Sequence, residues 1–118
     1  MDEHSAQDRA RIADALQLLR TELEEMISNL SGAAATVELD QGQQGRLSRI
    51  DAMQAQKMAQ AQIRRAEVRM QRVTNILACS DEPDFGCCGD CGEPIPMPRL
   101  MARPDSVLCV ECADARQG

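Results

Sequence analysis

Phe85-Gly86-Cys87-Cys88-Gly89-Asp90-Cys91-Gly92-Glu93, with seventeen residues between Cys91 and the following Cys109-Val110-Glu111-Cys112, is the stretch on which the reading of this chain turns. Each Cys-x-x-Cys pair has the two-residue gap that lets both sulfurs of a tight turn grip one ion, and two such pairs complete a tetrahedral thiolate set for zinc. Gly89 and Gly92 are expected to supply the backbone freedom of the first turn. Four thiolates leave no position open for water, so the site reads as structural rather than catalytic. Two disulfides in a secreted chain are the alternative for the same residues, and thiol redox chemistry at one Cys-x-x-Cys is another. Cys87 abuts Cys88 and competes with it as a ligand, but only the Cys88 register gives two gaps of two. Cys79 reads as a small apolar residue near a helix end, and His4 as a solvated terminal side chain rather than a ligand.

Outward from the cysteines, the rest of the chain explains why a metal is needed. With 118 residues, one Phe and no Trp or Tyr, the chain has room for one small domain with a thin core, which calls for a staple or a long packed helix pair. The fold class expected is mainly α: an antiparallel helical hairpin of coiled-coil type, then a small four-cysteine finger and a short C-terminal helical turn. Ile12, Leu16, Leu19, Leu23, Met26 and Leu30 recur at alternating steps of four and three, which keeps one stripe on one helix face. Ala52, Gln56, Ala59, Ile63, Ala66, Met70, Val73 and Leu77 form a second such seam. Ser31-Gly32 and the run Asp40-Gln41-Gly42-Gln43-Gln44-Gly45 mark the connection. The expected division is therefore a hairpin over 1–79, with helices at about 3–31 and 46–78 and a tip at about 32–45, and a finger over 80–118. Leu23 is expected opposite residues near 59, and the pair is expected to form within a monomer.

Charge is uneven. Residues 1–40 hold nine acids and three bases, residues 41–79 two acids and seven bases, and residues 80–118 eight acids and three bases, within a net charge of −6. Helix pairing then sets an acidic flank against a basic one. An acidic chain with no dominant basic face is not built as a general nucleic-acid binder, so no direct sequence-specific DNA binding is expected. No apolar run approaches the roughly 18 residues of a membrane span, and the acidic N-terminus is unlike a secretion signal, so a cytoplasmic location without membrane attachment is expected. No nucleophile–base constellation or phosphate-cradling glycine loop points to an enzyme.

The finger resembles that of the DksA/TraR family of bacterial transcription regulators. The resemblance is carried by Phe85-Gly86-Cys87-Cys88-Gly89-Asp90-Cys91-Gly92-Glu93-Pro94-Ile95, Arg99-Leu100-Met101-Ala102-Arg103-Pro104 and Cys109-Val110-Glu111-Cys112. The preceding hairpin is similar to the family's in architecture. The resemblance implies a regulator that binds RNA polymerase, rests its finger end on the enzyme's rim and sends a coiled-coil tip through the secondary channel towards the active site, often together with guanosine tetraphosphate. It implies one structural zinc held by Cys88, Cys91, Cys109 and Cys112. Arg72 and Arg103 match nucleotide-linked or rim-facing basic positions, while a third basic position is Ala113 here.

The family's Asp-x-x-Asp-x-Ala tip motif is absent, its second Asp falling at Ser48, so Asp40 and Asp51 are the candidate tip acids. Six residues follow Cys112, which resembles a short member of the family. Two further functions fit the same residues. One is a zinc-stapled coiled-coil adaptor for another protein. The other is a thiol-based, zinc-linked redox regulator using Cys87 beside a ligand.

Overall fold

The structure is a computed structural model of the 118-residue chain and describes residues 4–39 and 46–117, with the side chains of 33–39 and 46–48 left out of the description. Four helices follow in order: α1 (Ala6–Leu39), α2 (Arg46–Leu77), α3 (Met97–Ala102) and α4 (Val110–Gln117). Among the described residues the only β pairing is a single antiparallel bridge, Cys87 with Pro94. The chain is thus mainly α, a helical hairpin followed by a cysteine finger.

Local chemistry accounts for the helix ends. Ser5 caps α1: its side-chain oxygen accepts from the Asp8 backbone N–H at 3.0 Å, and its carbonyl accepts from the Arg9 N–H at 2.8 Å. This satisfies one of the otherwise orphaned first-turn donors. The last turn of α2 tightens, with Cys79 N–H donating to the Ile76 carbonyl and Ser80 N–H to that of Leu77, before Pro83 rules out continuation. The first helix does not stop at Ser31-Gly32, where the sequence suggested a turn, but runs to Leu39. One glycine costs a helix about 1 kcal/mol relative to alanine, and Ala33-Ala34-Ala35 immediately after it are the strongest helix formers available. A Cβ at Gly32 would meet nothing, so no packing demand forces a turn there. Segment 40–45, rather than 32–45, separates the two helices.

Packing divides the chain into two compact units, residues 1–20 with 72–118, and residues 21–71. These units cut across the compositional division at 79/80, because both ends of the helix pair are built into the finger's own core. In the first unit Ile12 and Leu16 from α1, Val73 from α2, and Phe85, Ile95 and Leu100 from the finger are all buried. The one aromatic residue of the chain sits in this core. In the second unit, Leu23 and Ala66 are the buried apolar residues among those described. A groove there is lined by Leu23, Met26 and Leu30 from α1 and by Gln62, Arg65, Ala66 and Arg69 from α2. Leu23 is therefore set beside Ala66, about two turns from the expected position near 59. The seam positions are otherwise at least part-buried as the periodicity implies, except Met26, which is 47% exposed.

Candidate metal centre

The first knuckle is built by a tight backbone turn. Cys88 N–H donates to the Glu93 carbonyl at 2.7 Å, Gly92 N–H to the Cys88 carbonyl at 3.0 Å, and Ile95 N–H to the Gly86 carbonyl at 2.9 Å. The two residues with left-handed backbone are Gly86 (φ 86°) and Gly92 (φ 79°). Gly92 serves as the sequence suggested, whereas Gly89 has no such conformation. Its part is to donate its N–H to the Val107 carbonyl at 2.8 Å, tying the first knuckle to the approach of the second. Gly86 carries the second demand. A Cβ there would come within 2.7 Å of the His4 ring and 2.9 Å of Ile12, so glycine is required on both conformational and steric grounds.

The second knuckle is a helix start. Cys109 precedes α4 and Cys112 lies in its first turn, with Ala113 N–H donating to the Cys109 carbonyl at 2.9 Å. The sulfurs of Cys88, Cys91, Cys109 and Cys112 all lie within 4.8 Å of one another. Cys91 and Cys109 Sγ are 3.8 Å apart. A tetrahedron with Zn–S bonds of about 2.3 Å has edges of about 3.8 Å, so this spacing fits a tetrathiolate zinc, and it is far longer than the roughly 2.05 Å of a disulfide. The donor set is all sulfur, which suits zinc, and it holds one structural ion that cross-links the two knuckles. Cys87 lies outside the cluster, in the bridge to Pro94, and Cys79 is exposed beyond α2.

Backbone amides prepare the cluster for charge. Asp90 N–H points at Cys88 Sγ at 3.4 Å, and Cys112 N–H at Cys109 Sγ at 3.5 Å. Burial pushes the Cys88 thiol up, but hydrogen bonds from the backbone at Cys91, Cys109 and Asp90 outweigh it and pull the group down to about 6 from 9.0. For Cys91 the Glu93 backbone lowers the group, yet the Cys88 thiol, burial and the Cys109 thiol together raise it. Cys112 is raised by the side chains of Cys109 and Cys88. Cys88 is thus set to be a thiolate in the metal-free chain while Cys91 and Cys112 are shifted towards keeping their protons, as expected when like charges crowd one site.

Around the cysteines, charged side chains tie the finger together. Arg72, near the end of α2, donates from Nη1 to Asp105 Oδ2 at 3.1 Å. The Asp105 side chain is 1% exposed and the Arg72 side chain 45%. Arg99 Nε donates to the Leu108 carbonyl at 3.2 Å. Arg116 of α4 grips Asp90 with two bonds, of 2.8 and 2.6 Å. This Arg116 hydrogen bond holds the Asp90 carboxyl below its ordinary range. His4 is not a ligand, but neither is it a free solvated ring: it is part-buried, with Nε2 3.1 Å from the Gly86 carbonyl.

Of the other sequence candidates, Arg103 is exposed just beyond α3, and Asp51 is exposed on α2. Asp40 lies outside the described residues. Sequence reasoning missed Asp105, Arg116, Asp90 and His4. Arg116 had a usable signal, since it falls four residues after Cys112 and so on the same face of a helix. Asp105 and His4 had none, because their partners are 33 and 82 residues away.

Residues 83–118 match the prokaryotic dksA/traR C4-type zinc finger family. A 43-residue stretch is 44% identical to the RNA polymerase-binding transcription factor DksA of Haemophilus influenzae, and that stretch spans 36% of this chain and 30% of the relative. The fold is similar to that of transcription factor DksA2 from Pseudomonas aeruginosa, with a TM-score of 0.80 at 21% identity over 96% of this chain and 85% of that one. Residues 83–118 are thus similar to the dksA/traR C4-type zinc finger, with four sulfurs set for zinc, and the fold that carries them is similar to that of DksA2.

Proposed function

We propose that this chain binds RNA polymerase and regulates transcription through the enzyme's secondary channel. The observation that carries the reading is the finger of 83–118, which matches the dksA/traR C4-type zinc finger, beside a 43-residue stretch 44% identical to a protein described as an RNA polymerase-binding transcription factor. The finger end would rest on the rim of the channel, because the larger packed surface and the buried core lie there. Segment 40–45 and the helix ends beside it would be directed at the active centre, with Asp40 and Asp51 as the acids that act. Negative charge placed there would compete for an electropositive, metal-bearing centre. The net charge of −6 supports a protein partner over DNA, since DNA binding is driven by cationic side chains on phosphates.

Arg72 and Arg103 are the basic residues proposed for the polymerase rim, with guanosine tetraphosphate at that interface. Arg103 is exposed and the better placed of the two. Arg72 already holds Asp105 and would have to exchange partners to meet a phosphate. With Ala113 at the third basic position, we propose a weak nucleotide response.

The test is binding to purified RNA polymerase, competed by a known secondary-channel factor, together with in vitro transcription from an unstable promoter complex. The double variant Asp40→Asn/Asp51→Asn should bind and be displaced like the parent but lose most of its effect on transcription. Full retained effect would overturn the assignment of the acids. Lost binding would show that they provide affinity instead, and a parent chain that does not bind polymerase would leave an adaptor for another protein as the reading to pursue.

A further inference from the structure

We infer that Arg116 and Asp90 form a clamp that retains the metal, with Arg116 as a positioning residue of the zinc centre. Asp90 sits between the two ligands of the first knuckle, Cys88 and Cys91. Arg116 sits on α4, which begins at the second knuckle, one helical turn beyond Cys112. The guanidinium meets the carboxylate through two bonds, Nε to Oδ2 at 2.8 Å and Nη2 to Oδ1 at 2.6 Å. This fork-to-fork geometry is the strong form of the pair, and only arginine can make it. The clamp therefore joins the knuckles on the outside of the cluster, just as the metal joins them on the inside.

Two consequences follow from that placement. First, Asp90 N–H is one of the donors aimed at Cys88 Sγ, so fixing the Asp90 side chain also fixes a hydrogen bond to a ligand. Groups that orient metal ligands in this way govern how tightly the ion is kept. Second, the tetrathiolate ion carries a net charge of −2, and Arg116 brings a cation to its edge while Asp90 aligns it. A zinc ion leaves such a site by stepwise loss of thiolates, each of which takes up a proton or stays charged. Splaying the two knuckles is the motion that opens the first step, and the clamp resists it. The pair lies at the surface, with side chains 65% and 35% exposed, so its hold should weaken as salt screens it.

The test uses the zinc-loaded full chain, mixed with excess 4-(2-pyridylazo)resorcinol, and follows zinc release by the dye's absorbance. Arg116→Ala and Asp90→Asn should each speed release by about three- to tenfold, below or at the lower edge of what is typical for groups bonded directly to a ligand. The double variant should be no faster than the faster single one, the mark of two residues acting as one unit. Arg116→Lys, which keeps the charge without the fork, should recover only part of the loss. Parent release should quicken between low and molar salt, while that of Arg116→Ala should hardly change. Should Arg116→Ala fail to take up one zinc, the parent's salt dependence and the Asp90→Asn rate decide the matter. Release by Asp90→Asn at the parent rate, or additive effects in the double variant, would overturn the clamp. An unchanged rate in Arg116→Ala would overturn it as well.

Discussion

Removing the Arg72 guanidinium should unsettle the finger end of the chain even though Arg72 is far from the cysteines in sequence. Its partner Asp105 is almost fully buried, at 1% side-chain exposure, and the two are 3.1 Å apart. Breaking a fully buried ion pair by deleting one partner costs about 3–5 kcal/mol, because the remaining charge is stranded. Here the arginine is nearly half exposed, so water can follow into the space it leaves, and Asp105 has a further interaction. Both reduce the cost, and we expect about 1–3 kcal/mol for Arg72→Ala, the range for leaving a buried acceptor unsatisfied. In a domain of this size each kcal/mol lowers the thermal midpoint by roughly 3–7 °C.

The assay is urea unfolding of zinc-loaded protein followed by circular dichroism. Asp105→Asn supplies the discriminating comparison. If Arg72 acts by bracing the finger, Arg72→Ala and Asp105→Asn should impair stability and regulation together. If instead it acts as a phosphate ligand held in reserve, Asp105→Asn should release the guanidinium and strengthen the response to guanosine tetraphosphate. A loss below about 0.5 kcal/mol for Arg72→Ala, the level of an ordinary surface substitution, would refute the bracing role.

Leu16→Ala, at a side chain with no exposed surface, should cost about 2–5 kcal/mol in the same unfolding assay. Met58→Ala, at an exposed site, should stay within about 0.5 kcal/mol of the parent. Zinc binding near pH 7–8 should release fewer than four protons per ion in calorimetry across buffers of different ionisation heat, because Cys88, held at about 6, is already a thiolate while Cys91 and Cys112, both raised, are not. By the same sign, folding favours the Cys88 thiolate, so its stabilisation of the metal-free chain is full above the ordinary thiol value of 9.0 and is lost as pH falls through about 6. Four protons released at pH 8 would contradict that assignment. Chelation of the metal should increase amide hydrogen exchange in residues 6–20 as well as in 80–117, since both belong to one compact unit. Exchange that rises in 80–117 alone would show that the helix ends pack independently of the finger.

The parts of this molecule legible in sequence are those fixed by short-range pattern. The four-cysteine cluster was visible because a metal knuckle is a local device whose spacing is set by turn geometry. The two seams were visible because a helix repeats its face every three or four residues, and nearly all the positions named from them are at least part-buried. What failed was whatever depends on a partner far along the chain. Periodicity gives a face but not a register, so Leu23 could not be matched to Ala66. Gly86 was passed over in favour of Gly89 because the signal for a left-handed residue is the same at any glycine, while the deciding contacts come from His4 and Ile12. Gly32 looked like a terminator because its cost is local and known, whereas the helix forms by the sum over its neighbours.

The distribution of burial gives the finger a larger part than that of a staple on an otherwise complete hairpin. Among the described residues the largest fully buried side chains are Ile12, Leu16, Val73, Ile95 and Leu100, and they come from α1, α2 and the finger within a single unit. The four-cysteine cluster, the Arg72–Asp105 pair and the Arg116–Asp90 pair lie in that unit too. Among the described residues of 21–71, Leu23 and Ala66 are buried, while Ile50, Met53, Met58 and Val68 are exposed. Their α2 portion is rich in Ala, Gln, Met and Arg, residues whose helical preference does not depend on a core. In the function proposed above, the unit that carries the four-cysteine cluster would supply affinity and residues 21–71 the effect. The candidate acid Asp51 lies in the second of these, exposed on α2, where changing it should alter what the protein does without disturbing what holds it together.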